Sequence, residues 1–218
     1  MGKTAIEDFF DDCKGGMSRF VRKAIEDDGV DVNIRDKHGD TPLHMASIAG
    51  NYHTARVLIE HNADVHARDC RDGRTPLHEA CLWGSISVVR LLIESGADIN
   101  AQDDYEATAL HYACWGGHID ITRLLLDAGL DIMARRRMDG TKELWCPSYI
   151  FPLDYACDDG SAKIVQLLLE AGAKPGPDTV KIAIQLPPTD PAREEILDLF
   201  RQYAPEAVME TYCTAPAT

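Results

Sequence analysis

Apolar and polar positions recur along this chain with a helical period, in blocks that repeat. In 119-IDITRLLLDA-128, residues Ile119, Ile121, Leu124 and Leu125 fall on one face of a helix. Segments 52–61, 86–95 and 162–171 follow the same pattern, and each predicts a helix. Upstream of every one lies a shorter helical stretch: 42-PLHMASIA-49, 76-PLHEACLW-83, 109-ALHYACWG-116 and 152-PLDYACDD-159. Pro42, Pro76 and Pro152 take the first helical position, where a backbone N–H is not needed. Thr41 and Thr75 are suited to cap the turn before it. Gly50, Gly84, Gly117 and Gly160 break the chain after each short helix. Gly96, Gly129 and Gly172 end three of the longer helices, and Asn62, a residue that tolerates the left-handed cap, ends the other.

The spacing is regular. His44 and His78 are 34 residues apart, His78 and His111 are 33 apart, and His111 and Asp154 are 43 apart. Such self-similarity signals a solenoid. The pattern G-x-TPLH-x-A, then Gly, then V/I-x-x-LL-x-x-GAD-x-N-A, resembles the ankyrin repeat over four full units. The resemblance implies an all-α repeat solenoid of helix-turn-helix units with hairpin-like loops projecting to one side. It also implies that the short first helices and hairpin tips line a concave binding face, and that the TPLH histidine holds its turn and the adjoining backbone. Asp154 replaces that histidine in the fourth unit, whose turn is therefore expected to be held differently.

Terminal units of a solenoid are atypical caps. We expect residues 1–35 to form an N-terminal cap, with helices over 4–13 and 18–27. The four repeats follow over 36–175, then C-terminal capping helices over 176–204, with Asp190-Pro191 opening the helix over 192–203. Residues 205–218 have little pattern and read as a flexible tail.

Composition narrows the function. The net charge of −14 argues against a nucleic-acid backbone as partner, because phosphate binding needs clustered Lys and Arg. No apolar run approaches the ~20 residues that span a bilayer, and the N-terminal residues carry no secretory or myristoylation pattern. A cytoplasmic or nuclear location, no membrane partner and a monomeric state are expected. The seven cysteines include no CxxC pair. Cys81, Cys114 and Cys157 recur at one repeat position, too far apart for the ~7 Å Cα limit of a disulfide, and read as small buried thiols. His44, His78 and His111 are likewise a repeat apart and cannot share one ion, so no metal and no cofactor is expected. The chain has no nucleophile elbow, phosphate loop or kinase motif. In 92-LIESGADIN-100, Leu, Asp and Asn stand at the spacing that resembles sites of ankyrin asparaginyl hydroxylation, although Asn100 is also the ordinary hairpin Asn of the repeat.

The positions that do not serve the fold point to partner binding. Trp83 and Trp115 end two of the short helices, and Arg71, Arg74 and Tyr105 lie in the hairpins. Trp, Tyr and Arg are enriched among binding hot spots, although either Trp could instead pack between adjacent units. Counting 33 residues from Thr108 reaches Thr141, yet the Pro-Leu that should follow is Pro152-Leu153. Residues 142–151 are thus inserted where the fourth hairpin meets its helix, and they bring Trp145 and Tyr149. Arg135, Arg136 and Arg137 precede them in an otherwise acidic chain. Such a loop suits partner contact, while a passive insertion is also tolerated because loop lengthening costs little. The reading is a non-catalytic protein-binding module: an adaptor, scaffold or inhibitor. Two alternatives stay open: a regulatory subunit or effector within an enzyme assembly, and an enzyme with an unrecognised site.

Overall fold

The proline, glycine and threonine positions become helix ends in the structure. A computed structural model describes residues 5–136 and 151–213. Among these residues there are helices and turns but no strand. They sort into two compact units, one ending at Tyr112 and the other beginning at Ala113.

The first unit holds α1 (Ala5–Lys14), α2 (Ser18–Glu26), α3 (Pro42–Ile48), α4 (Tyr52–Glu60), α5 (Pro76–Leu82) and α6 (Ile86–Glu94). Helix α7 (Ala109–Trp115) crosses the division. The short helices α1, α3 and α5 pack in one layer, and α2, α4 and α6 in a second. The layers meet over Leu43, Leu58, Leu77, Val88 and Leu92, all fully buried or nearly so. Each such side chain contributes about 1.5–3 kcal/mol by leaving water. In the second unit, α8 (Ile119–Asp127), α9 (Pro152–Asp158), α10 (Ala162–Glu170), α11 (Pro177–Gln185), α12 (Pro191–Tyr203) and α13 (Pro205–Cys213) pack around Ile164, Leu168, Ile196 and Phe200.

The recurring histidine ties each unit together. The Thr41 N–H donates to His44 Nδ1 at 3.1 Å. Nδ1 therefore carries no proton, and Nε2–H donates to the Arg74 carbonyl of the next hairpin at 3.0 Å. His78 repeats this with Thr75 (3.0 Å) and the Ala101 carbonyl (3.0 Å). Burial lowers the pKa of both rings, that of His78 to about 4, so they act as neutral imidazoles. In the fourth unit Asp154 does the same work with carboxylate chemistry. It accepts the Phe151 N–H at 3.0 Å and the Thr179 hydroxyl at 2.6 Å.

Asn62 ends α4 with φ of 67°, in the left-handed cap the sequence implied. Asp190 caps α12 by accepting the Ala192 N–H at 2.9 Å. Residues 205–213 differ from the expected loose tail. They form α13, which packs on α11 and α12 and buries Ala207 and Val208. Residues 214–218 lie outside the described residues.

Candidate functional site

The hairpins of the first unit are built by three aspartates at equivalent positions. Asp36 Oδ1 accepts the N–H groups of His38 (2.7 Å) and Asp40 (3.0 Å). Asp69 Oδ1 does so for Asp72 (3.1 Å) and Arg74 (3.1 Å), and Asp103 Oδ1 for Tyr105 (2.8 Å) and Ala107 (2.8 Å). Adjacent hairpins are joined by Cys70 N–H to the His38 carbonyl (3.0 Å) and Asp104 N–H to the Asp72 carbonyl (2.8 Å). This frame fixes the direction in which Arg71, Arg74 and Tyr105 leave the backbone.

Both arginines are largely spent within the fold. Arg71 Nη2 lies 2.9 and 2.8 Å from the two oxygens of buried Asp40, and 3.3 Å from Asp69. Arg74 pairs with Asp72 at 2.7 Å and with Glu79 at 3.5 Å, and its guanidinium lies 5.0 Å from the centre of the Tyr112 ring. Tyr112 donates its hydroxyl to Asp103 Oδ2 at 2.6 Å. Burial, reinforced by the Asp103 carboxylate, raises the phenol far above its ordinary pKa and keeps it a donor.

Trp83 stands at the end of this network. Its ring is 59% exposed, yet its indole N–H donates to Glu79 Oε2 at 3.1 Å. Glu79 itself is 2% exposed. The chain Trp83–Glu79–Arg74–Tyr112–Asp103 thus anchors an exposed aromatic ring to the interior, and Asp103 also holds the backbone N–H of half-buried Tyr105.

The second unit presents its own patch. Trp115, 44% exposed, lies 6.3 Å from the ring of Tyr155, and Arg136 Nη1 donates to the Tyr155 hydroxyl at 2.6 Å. The Arg135 guanidinium sits 5.6 Å from the centre of the Phe151 ring. Arg137, Trp145 and Tyr149, with the insertion up to residue 150, lie outside the described residues.

Glu79, Tyr112 and Tyr155 were missed by sequence reasoning. They occupy one repeat position, directly after His78, His111 and Asp154, and that shared column of long polar side chains was the available signal. The turn histidines His44 and His78 and four of the cysteines are occupied by the fold. Cys13, Cys81, Cys114 and Cys157 are buried, and burial pushes the Cys13 thiol up to about 12 and raises those of Cys114 and Cys157 well above their ordinary value. The thiols of Cys13, Cys114 and Cys157 stay protonated at neutral pH and are poor nucleophiles. Among the described residues, no group of three or more His, Cys, Asp or Glu is placed to hold a metal ion, and no helix is long and apolar enough to cross a membrane.

Comparison with known families matches residues 10–103 to ankyrin repeats (3 copies), 92–141 to ankyrin repeats (many copies) and 150–179 to a single ankyrin repeat. Among curated proteins, 55 residues are 36% identical to delta-latroinsectotoxin-Lt1a of Latrodectus tredecimguttatus, covering 25% of this chain and 4% of the toxin. Over 49 residues the chain is 54% identical to the serine/threonine-protein kinase VIK of Arabidopsis thaliana, covering 22% of this chain and 11% of the kinase. Over 55 residues the chain is 42% identical to the human ankyrin repeat domain-containing protein 13B, covering 25% of this chain and 9% of that protein. The chain therefore matches only a small part of each of these relatives.

Proposed function

The chain belongs to the ankyrin-repeat family, whose repeats are generic protein–protein interaction modules, and on that premise we propose that it is a non-catalytic adaptor, scaffold or inhibitor of a partner protein. The contact surface is the first-helix and hairpin face of each unit: Trp83 and Tyr105 in the first, on a frame that Arg71 and Arg74 brace through their ion pairs, and Trp115 with Arg135 and Arg136 in the second. The inserted segment joins this set by its address in the sequence, with Arg137, Trp145 and Tyr149 as its contacts. No cofactor and no chemistry of its own are needed for such a role.

The observation that carries the reading is the state of Trp83. A large aromatic ring left in water is costly unless something covers it, and this one is held by Glu79 before any partner arrives. A ring already fixed in place gives up little side-chain entropy on binding, which favours its use as an anchor.

A pull-down with the whole chain as bait, read by mass spectrometry, tests the proposal. Trp83→Ala and Trp115→Ala should each weaken capture of the same partner, by roughly 2 kcal/mol or more where the residue is a hot spot. Deleting residues 142–150 should leave the thermal melt in place and reduce capture. Undiminished capture by all three folded variants would refute the surface. One comparison favours a second reading, a regulatory subunit, because a similar segment lies within a chain named as a kinase. An enzyme copurifying in stoichiometric amount would select that reading.

A further inference from the structure

The first unit carries a second feature, away from its first-helix face. Ser18, Arg19 and Arg22 lie on the N-terminal turns of α2, and His53, Arg56 and Val57 lie on one face of α4 by their i, i+3, i+4 spacing. Helices α2 and α4 pack side by side, and between these six residues is an open hollow of about 280 Å³. In a chain of net charge −14, the wall of this hollow holds three arginines, a histidine and a hydroxyl, and no carboxylate.

The cationic groups differ in what they have left to offer. Arg22 is committed: its Nη2 donates to Glu60 at 2.8 Å and its Nη1 to Glu26 at 3.3 Å. Arg56 spends its Nε on Glu60 at 3.3 Å, leaving its two terminal amino groups. Among the described residues, the Arg19 side chain makes no ion pair or hydrogen bond, and the His53 side chain has only a ring contact with Tyr52. Glu60 thus fixes Arg22 and Arg56 from outside the hollow, while Arg19, Arg56, His53 and the Ser18 hydroxyl keep donors for something that enters it. The positive end of the α2 macrodipole adds to the same field.

We propose that this hollow binds a phosphate monoester. A phosphoryl group matches the donors, because guanidinium groups pair with its oxygens in fixed geometry and the hydroxyl and imidazole supply further hydrogen bonds. The volume lies near the lower end of small-ligand pockets. It leaves room for the group that bears the phosphate, whether a free small ester or a phosphorylated serine side chain. The site is on the second-helix layer, so it is independent of the partner surface proposed above.

The test is calorimetric titration of the whole chain with four probes: inorganic phosphate, O-phosphoserine, a short phosphoserine peptide and the same peptide without phosphate. At least one phosphorylated probe should bind and the unmodified peptide should not. O-phosphoserine without the peptide would identify a free ester as ligand, and the peptide binding more tightly would identify a protein side chain. Arg19→Ala and Arg56→Ala should each weaken binding about ten-fold or more, the worth of one hydrogen bond to a charged group. Arg90→Ala removes an exposed arginine on α6, outside the hollow, and should change nothing. Thermal melts of each variant establish that it is folded. No binding by any phosphorylated probe, equal binding of the unmodified peptide, or equal loss in Arg90→Ala would overturn the proposal.

Discussion

Arg71→Ala is expected to destabilise the fold at neutral pH and much less in mild acid. Asp40 is almost wholly buried, and burial, together with Asp36, Asp69 and Glu79, pushes its carboxyl up to about 6 against the pull of Arg71. The unfolded value is about 3.9, so the gap is about 2 pH units, or roughly 3 kcal/mol. The sign follows from which state holds the proton more tightly. Between about pH 4 and 6 the folded carboxyl keeps its proton while the unfolded one loses it. Stability from this group is therefore greatest below the unfolded value and is lost as pH rises through about 6. Above that point Arg71 is what offsets the buried charge. Removing the partner of a fully buried charge costs roughly 3–5 kcal/mol. Arg71 is 46% exposed, so water screens the pair and the expected loss falls to about 1–2 kcal/mol. Near pH 5 Asp40 is mostly protonated in both proteins, and only the 3.3 Å contact with Asp69 remains to be lost. Burial pushes the Asp69 carboxyl up, but the N–H groups of Asp72 and Arg74 outweigh it, so buried Asp69 stays ionised on its own backbone partners, and its longer contact with half-exposed Arg71 is worth about 0.5–1 kcal/mol. His78 acts in the opposite sense in the same window. Burial lowers its pKa to about 4, so protonation of the unfolded chain weakens the fold as pH falls below about 6.5. That contribution is common to both proteins and cancels in their difference. Urea unfolding followed by circular dichroism near pH 5 and pH 7.5 gives the two differences. Equal losses, or a larger one in acid, would refute the reasoning. No loss at neutral pH would free Arg71 for a partner.

Leu92→Ala, in the fully buried face of α6, should cost roughly 2–5 kcal/mol. Asp190→Ala, which only removes the acceptor for Ala192 N–H, should cost about 1 kcal/mol, and equal losses in urea would contradict that ordering. Glu106→Gly should raise stability by about 0.5 kcal/mol, since Glu106 holds φ of 64° where the earlier hairpins have Gly39 and Gly73; a loss would mean that its side chain outweighs the backbone strain. Brief alkylation of the native chain, mapped by mass spectrometry, should label exposed Cys70 well before Cys13, Cys81, Cys114 and Cys157, and the reverse order would contradict their burial.

Much of the fold was legible because its instructions are local and repeated. Pro, Gly and the helical period act within a few residues, so Pro42, Gly50 and Asn62 could be read at sight. The candidate site was legible only in kind. Its position after a short helix left open whether Trp83 is exposed or packs between units, and that it is exposed yet fixed depends on Glu79 and Arg74, because pairing across a hairpin leaves no local mark. Arg71 and Arg74 looked available because sequence records charge and not the carboxylates that face it. Helix α13 was missed for a related reason. In 205-PEAVMETYC-213 the apolar face is weak, and the helix exists because α11 and α12 offer Ala207 and Val208 somewhere to go.

The position of the insertion follows from one substitution. In three successive hairpins an aspartate, Asp36, Asp69 or Asp103, closes the corner by accepting two backbone N–H groups. The equivalent residue of the fourth hairpin is Arg136, since 130-LDIMARR-136 aligns with 63-ADVHARD-69. A guanidinium has donors only, so Arg136 cannot close the same turn. It is also the side chain that changes the sign of the neighbouring contact. Tyr112 gives its hydroxyl proton to Asp103, whereas the equivalent Tyr155 accepts one from Arg136. Without an aspartate at that position a constraint on loop length is removed from the sequence, and lengthening a loop costs little. The helix that follows does not depend on that corner either, because Asp154 fastens its start to Phe151 and Thr179. The hairpin that lacks the aspartate is also the one that carries the ten extra residues and the basic, aromatic sequence beside them, and the short helix after it keeps its own anchor in Asp154.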